Sequence, residues 1–241
     1  MSTHNFPSPK QDARKVFEVL KKGGVAIIPM DVGYGIIAID PHALSRIFDA
    51  KKRKPNKRHA MIGTYSLHCD MHVLPSREAD IVKLLTVDLD LPIGVVAPYR
   101  PDHPIIQKIP PTTLDQCVLE GTLAILVNAG ELAEEISRLA TIERLPVMGS
   151  SANITGRGTK NIVEDIEPEI LKVADIVIDY GKQKFHYPRA SSTMVDFRTT
   201  KILRYGACYD VVQDSLWRFC GIQVPDDPGS LKCLSGHACG S

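Results

Sequence analysis

Three stretches of this chain hold residues whose types and spacing could do chemistry. Lys51-Lys-Arg-Lys-Pro-Asn-Lys-Arg58 places six cations in eight residues. Such a run reads as a solvated basic loop, as a nucleic-acid patch, or as an anion grip. Pro55 stiffens it and the apolar Met61-Ile62 follows at once, so a loop anchored on both sides could aim its cations at one point. Phosphate suits that arrangement, because Arg can hold it in a bidentate fork and Lys adds a point charge. The second stretch, Gly149 to Thr159, reads GSSANITGRGT. It supplies hydroxyls, an amide and bare backbone, enough to wrap a polar ligand where an ordinary turn needs one or two such residues. The third, Ile28-Pro-Met-Asp-Val-Gly-Tyr-Gly35, ends a strand in a bend whose Tyr34 either lines a pocket or belongs to the core.

Other chemistry finds no pattern. There is no Walker A or G-x-G-x-x-G loop and no G-x-S-x-G nucleophile elbow. His68 and His72 stand four apart but lack the Glu of a metalloprotease helix. No carboxylate pair is spaced for acid–base work. Cys233, His237 and Cys239 crowd a Gly/Ser-rich end without a C-x-x-C pair, and read as a floppy tail with no metal.

The elements that must position these residues alternate in type. Helices are expected over 12–22, stopped by Gly23-Gly24, over 41–50 with Asp40 as cap and Leu44, Ile47 and Phe48 inward, and over 77–85, 131–139 and 211–219. A short helical turn fits 168–173. Apolar strands are expected at 25–28, ended by Pro29, and at 35–39, 93–97, 123–127, 146–148, 175–178, 192–195 and 201–204. This is a mixed α/β pattern without internal repeats.

The composition sets the frame. The 241 residues are 44% hydrophobic, enough for one sizeable core, and the net charge of +1 creates no global field for a polyanion. The N-terminus lacks an apolar signal core, and no membrane span is expected. Six cysteines in a chain this long are too sparse for a disulfide scaffold, so the reading is a cytoplasmic protein with reduced thiols. The expected organisation is a flexible N-terminus over 1–11, one domain over 12–207, and a C-terminal helix with a mobile tail over 208–241.

Taken in order, the motifs resemble the YrdC-like family, whose best-known members make threonylcarbamoyl-AMP. The opening strand and turn, Gly23-Gly-Val-Ala-Ile-Ile-Pro-Met-Asp-Val-Gly-Tyr-Gly-Ile36, matches that family's P-T-D/E-T-x-Y-G-L turn. Its K-x-R helix end with a further cation corresponds to Lys51-Lys-Arg53 and Lys57. Pro92-Ile-Gly-Val-Val-Ala-Pro98 stands for its P-L-T-L-V-L-P strand, and Ser151-Ala-Asn153-Ile-Thr155-Gly156 for its S-A-N-x-S/T-G loop. Ser192-Thr-Met-Val-Asp196 and Ile202-Leu-Arg204-Tyr-Gly206 match its last two motifs. The resemblance covers about residues 12–207.

The resemblance implies an α/β fold, a twisted mixed sheet curved around a positively charged cavity with flanking helices. It implies a nucleotidyltransferase joining L-threonine, bicarbonate and ATP, with Mg²⁺, into threonylcarbamoyl-AMP and pyrophosphate, or the analogue with another amino acid. Lys51 and Arg53 would be the catalytic cations, with Lys57 beside them on the phosphates. Ser151 and Asn153 would hold the adenylate, Ser192, Thr193 and Arg204 would close the site, and Asp31 and Tyr34 would meet the small substrate. Partners implied are these small molecules, tRNA or another RNA, and a downstream transferase, with no membrane. The alternatives are a non-catalytic RNA- or nucleotide-binding module, or a carbamoyl-transfer component that needs a partner. The departures cluster at the small-substrate end. Met30 and Val32 replace two Thr, and Gly94 a third. Leu126 stands where Arg is usual, Asn128 where Pro is, and Leu89-Asp90-Leu91 where W-P-G is. The reading is therefore of a divergent member with adenylate binding kept and the amino-acid site altered.

Overall fold

A computed structural model describes residues 6–52, 58–187 and 189–229. The chain starts with helix α1, Pro9–Lys21, whose Ala13, Val16, Phe17 and Leu20 are buried at helical spacing. Gly23, in the left-handed region at φ +80°, turns it into strand β1, Ala26–Met30. Strand β2, Gly33–Ala38, returns antiparallel to β1. Pro29 does not end β1 as the sequence suggests, but sits inside it opposite Tyr34. Tyr34 turns its N–H to Lys160 O and its carbonyl to Ala152 N, so this pair asks for no N–H from Pro29.

Asp40 caps helix α2, Pro41–Ala50, by accepting from the N–H groups of His42 and Ala43 at 2.9 and 3.1 Å. Leu44 and Ile47 are buried, while Phe48 is only partly so. Strand β3, Ala60–Gly63, and helix α3, Tyr65–Met71, follow. Helix α4 spans Ser76–Lys83 and widens into a π-helical turn over Leu84–Asp88, where a helix over 77–85 is expected from sequence. Strand β4 is Ile93–Pro98, α5 a single turn at Pro111–Leu114, and β5 and β6 form a hairpin at Val118–Leu119 and Thr122–Val127. Helix α6, Glu131–Glu143, outruns its expected end at 139.

Strand β7 corrects the sequence reading most. It covers Met148–Ser151, so the expected strand at 146–148 is displaced into the hydroxyl-rich stretch. β7 is flanked by β2 and β3, and a Cβ on Gly149 would come within 2.6 Å of Ile36 O, so its small residues answer close packing as well as ligand needs. Then come α7 at Pro168–Leu171, β8 at Ile176–Val177, β9 at Thr193–Asp196, β10 at Lys201–Arg204 and α8 at Tyr209–Cys220. The chain after α8 folds back. Val224 is buried, Tyr209 donates its hydroxyl to Pro225 O, and Arg189 pairs with Asp227 at 2.7 Å. Within the segment expected to be a mobile tail, Val224 and Asp227 are thus packed against the fold.

One mixed sheet runs β10-β9-β4-β6-β3-β7-β2-β1-β8, with β5 on β6. The pairs β1/β8, β3/β6 and β4/β9 are parallel and the others antiparallel. Its two faces build two apolar clusters. One holds Tyr34, Ile36, Met61, Ile125, Val127 and Val195 with α2, α3, α4 and α8 residues. The other holds Ile28, Met30, Val32, Ile62 and Leu126 with α1 and α6 residues. α6 covers this second face over β1 and β3.

Candidate functional site

The Lys51 end of α2 and the loop after β7 are joined. Lys51 is 2% exposed, and its Nζ donates to the carbonyls of Ser151 and of Asn153, the latter at 2.5 Å. Its own carbonyl accepts from Thr155 N at 3.0 Å. A buried ammonium is tolerable only when hydrogen-bonded, and here the loop oxygens bend around it. The cation and the S-x-N loop therefore form one unit, as their distant sequence positions could not show. Asn153 is buried and ties Nδ2 to Ile154 O at 2.7 Å. Its Oδ1 finds no hydrogen-bond donor among the described residues. Arg53 and Lys57 lie outside the described residues. At the other end of the basic run, Arg58 donates Nε to Val118 O at 3.0 Å.

Two residues missed from sequence support this loop. Glu167 accepts from Ile154 N at 3.2 Å and pairs with Lys160 at 3.1 Å. Burial alone would raise the Glu167 pKa, but Lys160 and the backbone N–H groups hold it below the ordinary carboxylate range. Nothing local marks either residue in the sequence, since they meet the loop only through the fold.

Ser192 and Arg204 form a second unit. Arg204 donates Nε to Ser192 O at 2.9 Å and Nη2 to Ser192 Oγ at 3.0 Å, with Ser191 Oγ at 3.2 Å. Thr193 is not with them. It faces the opposite side of the sheet, fully buried, with Oγ1 donating to Ala207 O at 3.0 Å. Its partner position in β4 is Ile93, a core residue of that side.

Asp31 and Tyr34 also part company. Asp31 sits in the β1–β2 turn, where its N–H donates to Ala129 O at 2.8 Å and its carboxylate meets Lys184 at 3.3 Å. Lys184 in turn approaches Asp90 at 3.6 Å, and Asn128 Nδ2 donates to Asp90 at 2.9 Å. No motif in the surrounding sequence marks Lys184. Tyr34 points into the other core. Its hydroxyl lies 2.7 Å from Asp179 Oδ1 and 2.9 Å from Gly181 O, and accepts from Tyr180 N at 3.2 Å. Burial first, then Asp179, raises the Tyr34 pKa, so it stays a neutral phenol.

The turn at Asp31 begins β2, whereas Ala129 follows the end of β6, a strand running the same way three places along the sheet. The two can touch only because the sheet twists and coils between them. That curvature brings the β1–β2 turn, the end of β6 and Lys184 to one place. A separate cavity of about 330 Å³, lined among others by Lys21, Asp40, Lys108 and Met148, lies at the far end of β7 from Ser151 and contains none of the sequence-predicted residues. No helix among the described residues is long and apolar enough to cross a membrane.

Comparison with known proteins defines the class. The Sua5/YciO/YrdC family, described as telomere recombination, matches residues 18–206, and the chain belongs to that family. A Methanocaldococcus jannaschii protein, provisionally described as a threonylcarbamoyl-AMP synthase, is 26% identical over 200 residues, covering 80% of this chain and 86% of the relative. Among solved structures, P. abyssi Sua5 complexed with L-threonine superposes with a TM-score of 0.67 at 18% identity. The match covers 95% of this chain but only 62% of that one, so this chain spans less than two thirds of that relative's length. E. coli YciO superposes at 0.63 and 17% identity, covering 83% of this chain and 92% of that one. These structures share the twisted mixed sheet with flanking helices.

Proposed function

We propose that this protein is a nucleotidyltransferase that joins a carbamate to AMP. An amino acid and bicarbonate condense to an N-carboxylate with loss of water. A carbamate oxygen then attacks the α-phosphorus of ATP, and the bond to pyrophosphate breaks. The product is threonylcarbamoyl-AMP when the amino acid is L-threonine, or its analogue with another. The observation that carries this reading is the Lys51 unit. A buried cation holds the S-x-N loop in shape while the buried Asn153 Oδ1 has no hydrogen-bond donor among the described residues, an expensive state that a ligand donor such as an adenine amine would relieve. The L-threonine named with P. abyssi Sua5 and the name of the M. jannaschii relative point the same way.

The reaction asks for fixed positive charge where phosphoryl oxygens gain negative charge, and needs no side-chain nucleophile. In this reading Lys51, Arg53 and Lys57 supply that charge, and Arg204, which holds Ser192, adds a further cation. Among the described residues no group of three His, Cys, Asp or Glu could hold a metal. Mg²⁺ would therefore come on the ATP phosphates, which it prefers to all-protein cages. Downstream, the adenylate would pass to a transferase acting on tRNA.

The test mixes protein, ATP, Mg²⁺ and bicarbonate with each of a panel of amino acids, reading pyrophosphate release and the mass of the AMP adduct. An adduct with any amino acid is the expected result. ATP binding without any adduct or pyrophosphate would overturn the reading and favour a nucleotide-binding module.

A further inference from the structure

The cavity at the far end of β7 lies where the two apolar clusters meet. Leu20 belongs to the α6-side cluster and Leu145 packs against it, whereas Leu44, Ile109 and Met148 belong to the other. The space of about 330 Å³ is the gap left between them. At about 30 Å³ each, water's share of liquid volume, it has room for roughly ten non-hydrogen atoms. Pro41, Pro110 and Pro146 complete the wall, at the starts of α2, α5 and β7. Proline has a fixed φ and no N–H, so the wall is stiff there and offers few donors. A preformed apolar cavity loses little in reorganisation when a ligand enters. Three side chains of the lining are charged, Lys21, Asp40 and Lys108. Asp40 is occupied at the N-terminus of α2, where it accepts from His42 N and Ala43 N. Lys21 pairs with Glu143 at 2.9 Å and with Glu18 at 3.5 Å. Lys108 donates to Glu143 O, at the C-terminus of α6, at 2.9 Å and meets no carboxylate among the described residues. An ammonium has three donors, so Lys108 can serve a ligand without leaving α6.

We propose that this cavity is a second ligand site, and that it takes a small amphipathic monoanion, an apolar body of roughly ten non-hydrogen atoms ending in a carboxylate. The apolar body gives up its water between the leucines and prolines. Lys108 is exposed, so a carboxylate at its ammonium keeps part of its own water and avoids the cost of full burial. The site is independent of the carbamoyl-adenylate reading above, because α2 separates it from Lys51. Pro41 faces the cavity, and Lys51 caps the other end of that helix. At about 1.5 Å per residue the two stand about 15 Å apart, so an anion here and a nucleotide at Lys51 can be held together.

Octanoate has this size and charge, and octan-1-ol has the same chain without the charge. Nuclear magnetic resonance titration of the isotope-labelled full chain would compare them. Octanoate should bind with a Kd on the order of 1 mM or tighter and move the amide signals of Gly23, Leu44 and Thr113, which line the cavity. Octan-1-ol should bind at least about fivefold more weakly. Lys108→Met should weaken octanoate about fivefold and leave octan-1-ol unchanged. Glu143→Gln should act the other way, tightening octanoate about two- to threefold by removing a carboxylate beside both ammonium groups. Both residues are exposed, and the opposed signs separate a charge effect from damage to the fold. Saturating ATP should leave the octanoate shifts in place. Octan-1-ol binding as tightly as octanoate, an affinity unmoved by Lys108→Met, octanoate displaced by ATP, or no shift at the cavity amides would each overturn the proposal.

Discussion

Lys51 is the residue on which the proposed site turns, and the proposal gives it two tasks at once. Its ammonium is a fixed positive charge, and its donors shape the loop that holds Ser151 and Asn153. Lys51→Ala removes both. ATP affinity should fall by about 1–3 kcal/mol, the cost of a lost charge-assisted contact. The melting temperature should fall as well, because two buried carbonyls lose their donor. Lys51→Arg should not restore binding, since a planar guanidinium does not fit where a compact ammonium is buried. Arg53→Ala should give the same loss of affinity. Titration calorimetry with ATP, beside a thermal melt of each variant, checks both expectations. Unchanged affinity in Lys51→Ala and Arg53→Ala would overturn the assignment of the phosphate grip.

At the scale of elements, the second unit depends on how closely β9 and the turn after β10 approach. A Cβ on Gly206 would stand 2.3 Å from both the carbonyl carbon and the oxygen of Ser192, the oxygen that Arg204 Nε binds. Backbone cannot yield as a flexible side chain does, so Gly206→Ala should cost about 1–3 kcal/mol of stability. It should also displace the Ser192–Arg204 pair and weaken ATP binding. Urea unfolding and nucleotide titration read the two effects, and a variant as stable as the parent would show that the turn can move away. This part of the site was legible in the sequence as motifs, because Ser192, Arg204 and Gly206 sit within two short segments. The strands were also legible where apolar runs are buried on both sides, as in β4 and β6. Legibility failed where the chain's own pattern is thin. β7 is Met-Gly-Ser-Ser, chosen for closeness to two neighbouring backbones, and its residues read as a loop until those neighbours are known. β3 and α3 were missed for their brevity. The resemblance implies that Tyr34 and Thr193 face the ligand, but alternation along a strand turns each into the opposite core.

At the scale of the whole molecule, the sheet's curvature sets what meets what, and no window of sequence contains it. The contact of Asp31 with Ala129 joins residues 98 positions apart in the numbering. The assembled fold also buries titratable groups that local sequence would leave in water. His68 and His72, set aside as lacking a catalytic pattern, face each other with Nδ1 atoms 2.8 Å apart, and His72 Nε2 lies 3.2 Å from Leu123 O. Burial pushes their pKa values down to about 4 and about 3, with the neighbouring His68 adding to the shift at His72. Glu134 of α6 goes the other way. Burial pushes it up to about 7, against the opposing hydrogen bond from Asn128 N. The signs follow from proton counts. As pH falls below about 6.5 the unfolded chain protonates both histidines and the folded chain does not, so stability is lost. Between about 7 and 4.5 the folded chain instead holds the extra proton on Glu134, so that group adds stability as pH falls. Two histidines outweigh one carboxylate. Stability should peak near pH 6.5–7 and then drop by about 1.4 kcal/mol per pH unit on the acid side. Glu134→Gln should make that acid limb about twice as steep, and His72→Asn should flatten it, whatever either change does to absolute stability. Urea midpoints at pH 8, 6.5 and 5.5 for the three proteins measure the slopes. A flat acid limb in the parent would mean that the histidine pair takes up protons inside the fold, and that the face of the sheet holding it admits water.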